Sequence, residues 1–221
     1  MKRKRKRGPF YAFVSAILGV LARGVYRIKI RGRENYPTEG GCLICCNHQS
    51  YMDIPALIIS SPREIRFLAK AELMRTRIGN WFFGKYRVIP VHRGENDVKA
   101  IREIVAKAKE GEITAIFPQG TRRVGENPAD TPILPGVGMI ALRAGVPVIP
   151  VCILTKGQRF RAFQRTEVII GKPIPYESLI PEGRPDYAAV ATRIFDEVCA
   201  LGGFVKTKTV EQAPAAEAAE V

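Results

Sequence analysis

Cys42-Leu43-Ile44-Cys45-Cys46-Asn47-His48-Gln49-Ser50-Tyr51-Met52-Asp53-Ile54-Pro55-Ala56-Leu57-Ile58-Ile59 reads as a strand, a turn and a helix in direct succession. The first five residues are an unbroken apolar run, the pattern of a strand buried on both faces. Asp53, Pro55 and the apolar residues after them mark a helix start, with Asp53 at the cap. His48 therefore falls on a turn at a strand end, and Asp53 lies about one helical turn away. A carboxylate so placed can take one imidazole N–H and leave the other ring nitrogen free as a base. The chain has only two histidines, so this site holds half of them.

Outward from that stretch the pattern alternates. Residues 28–31, 64–69, 88–91, 113–117, 146–154 and 166–170 read as strands, the fifth of these broken by prolines. Residues 96–110 carry apolar side chains at Val98, Ile101, Ile104, Val105 and Ala108, a helical stripe with Asn96 or Asp97 as cap and Gly111 as stop. Residues 136–144 and 186–201 read as further helices, the last with Val190, Ile194, Val198 and Leu201 on one face. The alternation predicts an α/β fold: a mixed, largely parallel sheet flanked by helices. Sites in such sheets gather at the carboxyl ends of strands. Trp81, Phe82 and Phe83 read as core residues. Gly136-Val137-Gly138-Met139-Ile140-Ala141 mimics a dinucleotide-binding fingerprint, but it follows a proline-bearing turn rather than a strand and lacks the later acid.

At 221 residues and 46% apolar content the chain is long enough for one full core. Its net charge of +14 favours anionic partners. Lys2, Arg3, Lys4, Arg5, Lys6 and Arg7 form an unbroken basic run, and the remainder still carries +8. The run is followed by Phe10 to Ala22, uncharged and apolar all round, then by Arg23, Arg27, Lys29, Arg31 and Arg33. As a helix this segment spans about 20 Å, short of the roughly 30 Å of a hydrocarbon core. A secretory signal and a plain core helix are weighed against it. The expected reading is a monotopic, membrane-associated anchor whose flanking cations meet anionic lipid phosphates. Residues 1–27 are thus assigned to the basic run and anchor, 28–205 to the catalytic domain, and 206–221 to a disordered tail poor in large apolar residues. Five cysteines, an odd number with no paired zinc spacing, read as small buried hydrophobes. No metal site is expected. Nucleic-acid binding is disfavoured because the few aromatics lie mostly in apolar runs.

Three strand-ending turns carry polar chemistry: His48 to Asp53, Val91-His92-Arg93-Gly94, and Phe117-Pro118-Gln119-Gly120-Thr121-Arg122. Converging arginines suit a phosphate, which a planar guanidinium binds through two hydrogen bonds. Gly120 and Thr121 add a backbone N–H and a hydroxyl. His92, Arg87 and Arg123 are given no role. In these motifs the chain resembles the glycerolipid acyltransferase family, and most of all its 1-acylglycerol-3-phosphate (lysophosphatidate) acyltransferases. The family's Asn-His-x-Ser-x-x-Asp motif is met by Asn47, His48, Ser50 and Asp53. Its Arg after an Ile-Pro-Val-like strand is met by Ile89, Pro90, Val91 and Arg93. Its Phe-Pro-Glu-Gly-Thr-Arg motif is met by Phe117, Pro118, Gly120, Thr121 and Arg122, and its Val-Pro-Val-Ile-Pro-Val-like strand by residues 146–151. The resemblance covers residues 28–175, and four ordered motifs are far more specific than one. Two departures stand out. Gln119 replaces the family's Glu, and Ile133-Leu134-Pro135-Gly136 lacks the Lys of a Phe-Lys-x-Gly segment.

The resemblance implies transfer of a fatty acyl group from a coenzyme A or acyl carrier protein thioester to the free hydroxyl of lysophosphatidate. The product would be phosphatidate, formed at the cytoplasmic face of the cell membrane, with membrane phospholipids as neighbours and no other cofactor. His48 is implied as general base, Asp53 as its orienting carboxylate and Lys70 as oxyanion stabiliser, although Lys70 also reads as a snorkelling surface cation. Arg93, Gln119, Gly120, Thr121 and Arg122 are implied in substrate binding. Other lysolipid acceptors, or a non-catalytic basic protein binding membrane or nucleic acid, are the alternatives.

Overall fold

The computed structural model describes residues 8–86, 88–91, 98–180, 183–184 and 186–208. Among the described residues seven strands form one sheet: β1 (Ile28–Arg31), β2 (Cys42–Cys46), β3 (Ile65–Lys70), β4 (Ile89–Val91), β5 (Ile113–Ile116), β6 (Val148–Thr155) and β7 (Thr166–Ile170). Their order is β1-β7-β6-β2-β5-β3-β4. Only β6 and β7 pair antiparallel; the other neighbours are parallel. The described residues also form six α-helices: α1 (Pro9–Gly24), α2 (Asp53–Ser60), α3 (Arg77–Lys85), α4 (Val98–Lys109), α5 (Gly136–Ala144) and α6 (Tyr187–Leu201).

Alternation along β2 sorts the core into two layers. Leu43 and Cys45 face α4, α5 and α6 through Ile104, Ile140 and Ile194, all buried. Cys42, Ile44 and Cys46 face the other side, where Leu57 of α2 and Tyr11 of α1 pack. β2 is buried at every residue because both faces are covered, which is why its sequence is a continuous apolar run. It lies between β5 and β6, with Ile44 opposite Ala115 on one side and Ile149 on the other.

The structure extends or amends several expectations. β6 runs unbroken through Pro150. The Pro150 carbonyl accepts from the Gly171 N–H on the β7 side, just past the last residue of β7, so the missing donor falls beyond the ladder. Pro90 sits in the edge strand β4. Asn96 and Asp97, the expected caps of α4, lie outside the described residues. So do the basic run 2–7 and residues 209–221. Lys206 to Lys208 are placed against the body: Thr207 N–H donates to Asp130 Oδ1 at 2.7 Å, and the Lys208 N–H also reaches that oxygen. Trp81 is exposed, edge-on to Phe10 at 5.5 Å between centroids; the side chains of Phe82 and Phe83 lie outside the description.

α1 has two unlike faces. Tyr11, Ser15 and Ala22 are buried, and Phe10, Val14 and Leu18 pack partly against the α2 side of the core. Tyr11 accepts the Ile65 N–H and lies beside the Tyr86 ring. Phe13, Ile17, Val20 and Leu21 form the opposite, exposed row. No described helix is long and apolar enough to cross a membrane.

Candidate active site

Because β2, β3, β4, β5 and β6 are mutually parallel, their carboxyl ends meet on one edge. A cavity of about 210 Å³ opens there. His48 stands at it beyond β2, Lys70 ends β3, and Phe117, Gly120, Thr121 and Arg122 follow β5. Ile54, Leu68, Val91, Ala115 and Ile116 supply apolar wall.

His48 Nδ1 lies 2.6 Å from Asp53 Oδ2. The same oxygen accepts the backbone N–H groups of Gln49 and Ser50 at 2.7 and 2.8 Å. Asp53 thus opens α2 but turns its carboxylate back to the preceding turn instead of capping the helix forward. It is fully buried, and Oδ1 has no partner among the described residues. Burial raises its carboxyl above the ordinary value; the His48 pairing and the two N–H groups oppose that rise. With Nδ1 committed as the donor to Asp53, the neutral imidazole has Nε2 as its free acceptor. The Phe117 ring stacks on the imidazole at 4.0 Å and 17°, fixing its plane.

The turn holding His48 is clamped from two sides, by β6 and by the loop after β5. Asn47 pairs with the Ile153 backbone like an extra strand residue, Nδ2 donating to the carbonyl at 3.0 Å and Oδ1 accepting the N–H at 2.7 Å. Gln49 Nε2 donates to the same carbonyl, and its Oε1 accepts from Thr155. The loop after β5 then holds both backbone groups of His48: its N–H donates to Gln119 Oε1 at 2.6 Å, and its carbonyl accepts from the Arg123 N–H at 2.8 Å. Gly120 makes the turn possible. It adopts φ +64, and a Cβ there would lie 2.5 Å from Leu134 Cδ1.

The expected residues separate into three groups. His48, Asp53, Lys70, Gly120, Thr121 and Arg122 come together at one strand-end edge, with Lys70 and Thr121 exposed on the cavity wall. Arg93 lies outside the described residues. Gln119, expected to touch substrate, is buried and turned away. Its oxygen holds the His48 N–H, and its nitrogen donates to Thr131 Oγ1 at 2.7 Å. Both ends of the amide are engaged with protein, so its place is behind the base. Thr131, with its hydroxyl donating to the Pro128 carbonyl at 2.7 Å, was given no role from the sequence; nothing local in Asp130-Thr131-Pro132 marks it, because its partner is twelve residues away. Tyr51 was also missed; the Arg122 guanidinium lies 3.6 Å above its ring. All five cysteines are free and buried, and burial pushes the thiols of Cys42, Cys152 and Cys199 up to about 12, which removes them as nucleophiles.

Known proteins resemble this chain in sequence and fold. The family model named Acyltransferase matches residues 27–154, more than half of the chain. The 1-acyl-sn-glycerol-3-phosphate acyltransferase of Bacillus subtilis is 29% identical over 167 residues, covering 74% of this chain and 82% of that protein. The 1-acyl-sn-glycerol-3-phosphate acyltransferase alpha of Homo sapiens is 25% identical, covering 76% of this chain and 61% of its own length. The crystal structure of the 1-acyl-sn-glycerophosphate acyltransferase PlsC from Thermotoga maritima superposes with a TM-score of 0.59 at 25% identity, over 87% of this chain and 88% of that one. A buried Asp-His pair at the carboxyl edge of a largely parallel sheet, inside a matching family domain, makes this chain a member of the acyltransferase family.

Proposed function

We propose that the protein transfers a fatty acyl group from an acyl thioester to the free hydroxyl of lysophosphatidate, giving phosphatidate for phospholipid synthesis. The observation that carries this reading is the His48–Asp53 pair opening onto an apolar-walled cavity that also presents Arg122. The names of the relatives in Bacillus subtilis and Homo sapiens point to the same acceptor. In the reaction His48 Nε2 takes the hydroxyl proton while that oxygen attacks the thioester carbonyl carbon. Asp53 holds the tautomer and stabilises the imidazolium. As the tetrahedral centre collapses, the C–S bond breaks and the imidazolium returns its proton to the leaving thiolate. No enzyme nucleophile is required, because the thioester is already activated. Lys70 and Thr121 serve the developing oxyanion, and Arg93 and Arg122 bind substrate phosphate. The donor is a coenzyme A or acyl carrier protein thioester, and no other cofactor takes part.

The exposed row Phe13, Ile17, Val20 and Leu21 on α1 would lie in one leaflet at the cytoplasmic face of the membrane, with flanking cations at the phosphates. Purified protein is assayed with oleoyl-coenzyme A and lysophosphatidate, beside His48→Ala and beside other lysolipids and an acyl carrier protein donor. Phosphatidate made only by the unmutated protein is the expected result. Transfer to a different lysolipid alone moves the acceptor, and no transfer with any pairing overturns the reading.

A further inference from the structure

A second cavity, of about 330 Å³, adjoins the first on the far side of the His48 turn. Arg122 lines both, and Gln49, Ser50, Val124, Arg159, Phe160 and Arg161 complete the second. Three arginines therefore line one concavity, and none of the three is ion-paired with a described carboxylate. Two of them are held in place. Arg122 lies on the Tyr51 ring. Arg159 lies against Gly125, whose N–H donates to the Gln158 carbonyl at 3.0 Å; a Cβ at position 125 would come within 2.9 Å of Arg159 Nε. Like charges gathered without counter-charge around a hollow favour an anion, and planar guanidinium donors favour a phosphate.

We propose that Arg159 and Arg161, together with Arg122, bind the phosphomonoester of the acceptor lipid. This rests on the acyl-transfer reading above. Two observations favour the acceptor's phosphate over those of a coenzyme A donor. In lysophosphatidate the reacting hydroxyl and the phosphate are only a few bonds apart, so the phosphate must sit beside His48, and Ser50 of this cavity is two residues from it. The loop carrying Arg159 and Arg161 is also tied to the end of α1. Phe160 packs edge-on against Tyr26, and the Phe163 N–H donates to the Val25 carbonyl at 2.6 Å. The cavity thus lies next to the helix that carries the exposed apolar row, at the level where lipid head groups lie.

Steady-state kinetics on Arg159→Ala, Arg161→Ala and the double variant test the assignment, with acceptor and donor varied separately. The expected result is a rise of about tenfold or more in KM for lysophosphatidate in the double variant. KM for oleoyl-coenzyme A and the thermal midpoint stay unchanged, and Arg159→Lys falls between wild type and Ala. A rise in donor KM instead assigns the cavity to the coenzyme A phosphates and overturns the acceptor assignment; no change in either overturns the site. Calorimetric titration with sn-glycerol 3-phosphate separates this from failure of the function. Binding lost in the double variant supports the phosphate site even where lysophosphatidate is not acylated, and equal or absent binding in both proteins counts against it.

Discussion

Asp53 takes three hydrogen bonds on one oxygen and none from described residues on the other, in a site without solvent exposure. An Asn could keep its oxygen toward His48, Gln49 and Ser50 but could not stabilise an imidazolium. Asp53→Asn is expected to lower acyl transfer by at least about a hundredfold. Its stability carries a separate signature. Burial raises the Asp53 carboxyl, so the folded protein binds that proton more tightly than the unfolded chain. Native stability from this group is then present below the ordinary carboxylate pKa of about 4 and lost as pH rises through the raised value. The melting temperature of Asp53→Asn relative to wild type should therefore climb from about pH 4 toward neutrality; a difference that narrows over that range would contradict the raised value. Gln119 yields the second residue-scale prediction. Because Thr131 gives its one proton to Pro128, it can only accept from position 119, which an amide nitrogen satisfies and a carboxylate does not. Gln119→Leu orphans the His48 N–H and Thr131, at a cost of about 1–3 kcal/mol measured by denaturant melts. Its kcat should fall while KM for both substrates holds, since the amide touches neither; a change confined to KM would return Gln119 to the substrate. His48 and Asp53 could be found from sequence because their contact is local. The role of Gln119 could not, because position 119 meets position 48 only after β2 and β5 have paired.

At the scale of elements, the strands of this sheet announce themselves by their apolar runs, and only their ends and the passage through Pro150 needed the pairing to decide. The helices were less evenly readable. α3, with two glycines and the Trp81-Phe82-Phe83 cluster in nine residues, offers no clean stripe and was not anticipated as a helix. The glycines of α5 looked like a nucleotide motif with the wrong context, and their purpose is packing. A Cβ on Gly138 would lie 2.1 Å from the Tyr187 carbonyl oxygen at the start of α6. Gly138→Ala must push the two helices apart, and overpacking of this kind typically costs about 1–3 kcal/mol; an unchanged melting temperature would show that the helices are not held this close. α1 divides along its length into a docked and an exposed row, so substitutions on the two rows should separate stability from membrane binding. Tyr11→Ala removes a buried ring and should destabilise by about 3 kcal/mol. Phe13→Asp with Ile17→Asp should leave the melt unchanged and abolish flotation with phosphatidylcholine vesicles. Loss of stability without loss of flotation in the second variant would make α1 an ordinary core helix.

Across the whole molecule, charge and apolar surface fall on the same side of the site. α1 presents its apolar row, Arg23 and Arg27 end it, and the loop bearing Arg159 and Arg161 is fastened to it through Val25 and Tyr26. Composition alone gave the +14; only the fold shows that part of it flanks the mouth of the catalytic edge. Two forces with different salt dependence are then expected to act on membrane binding. Attraction of basic residues to anionic lipid contributes roughly 1 kcal/mol for each Lys or Arg near the surface, and it decays over a Debye length of about 10 Å at 0.1 M salt. Burial of the α1 row is unaffected by screening. Binding to phosphatidylglycerol vesicles should therefore fall steeply as salt rises from roughly 0.05 to 0.5 M and level off at a residual set by Phe13 and Ile17. On phosphatidylcholine vesicles only that residual should remain, at any salt. Removing residues 2–7 takes the charge to +8 and should weaken the salt-sensitive part alone. Salt-insensitive binding to the anionic vesicles would show that the charge does not face the bilayer, and the arginines around the second cavity would then not stand at the head-group level.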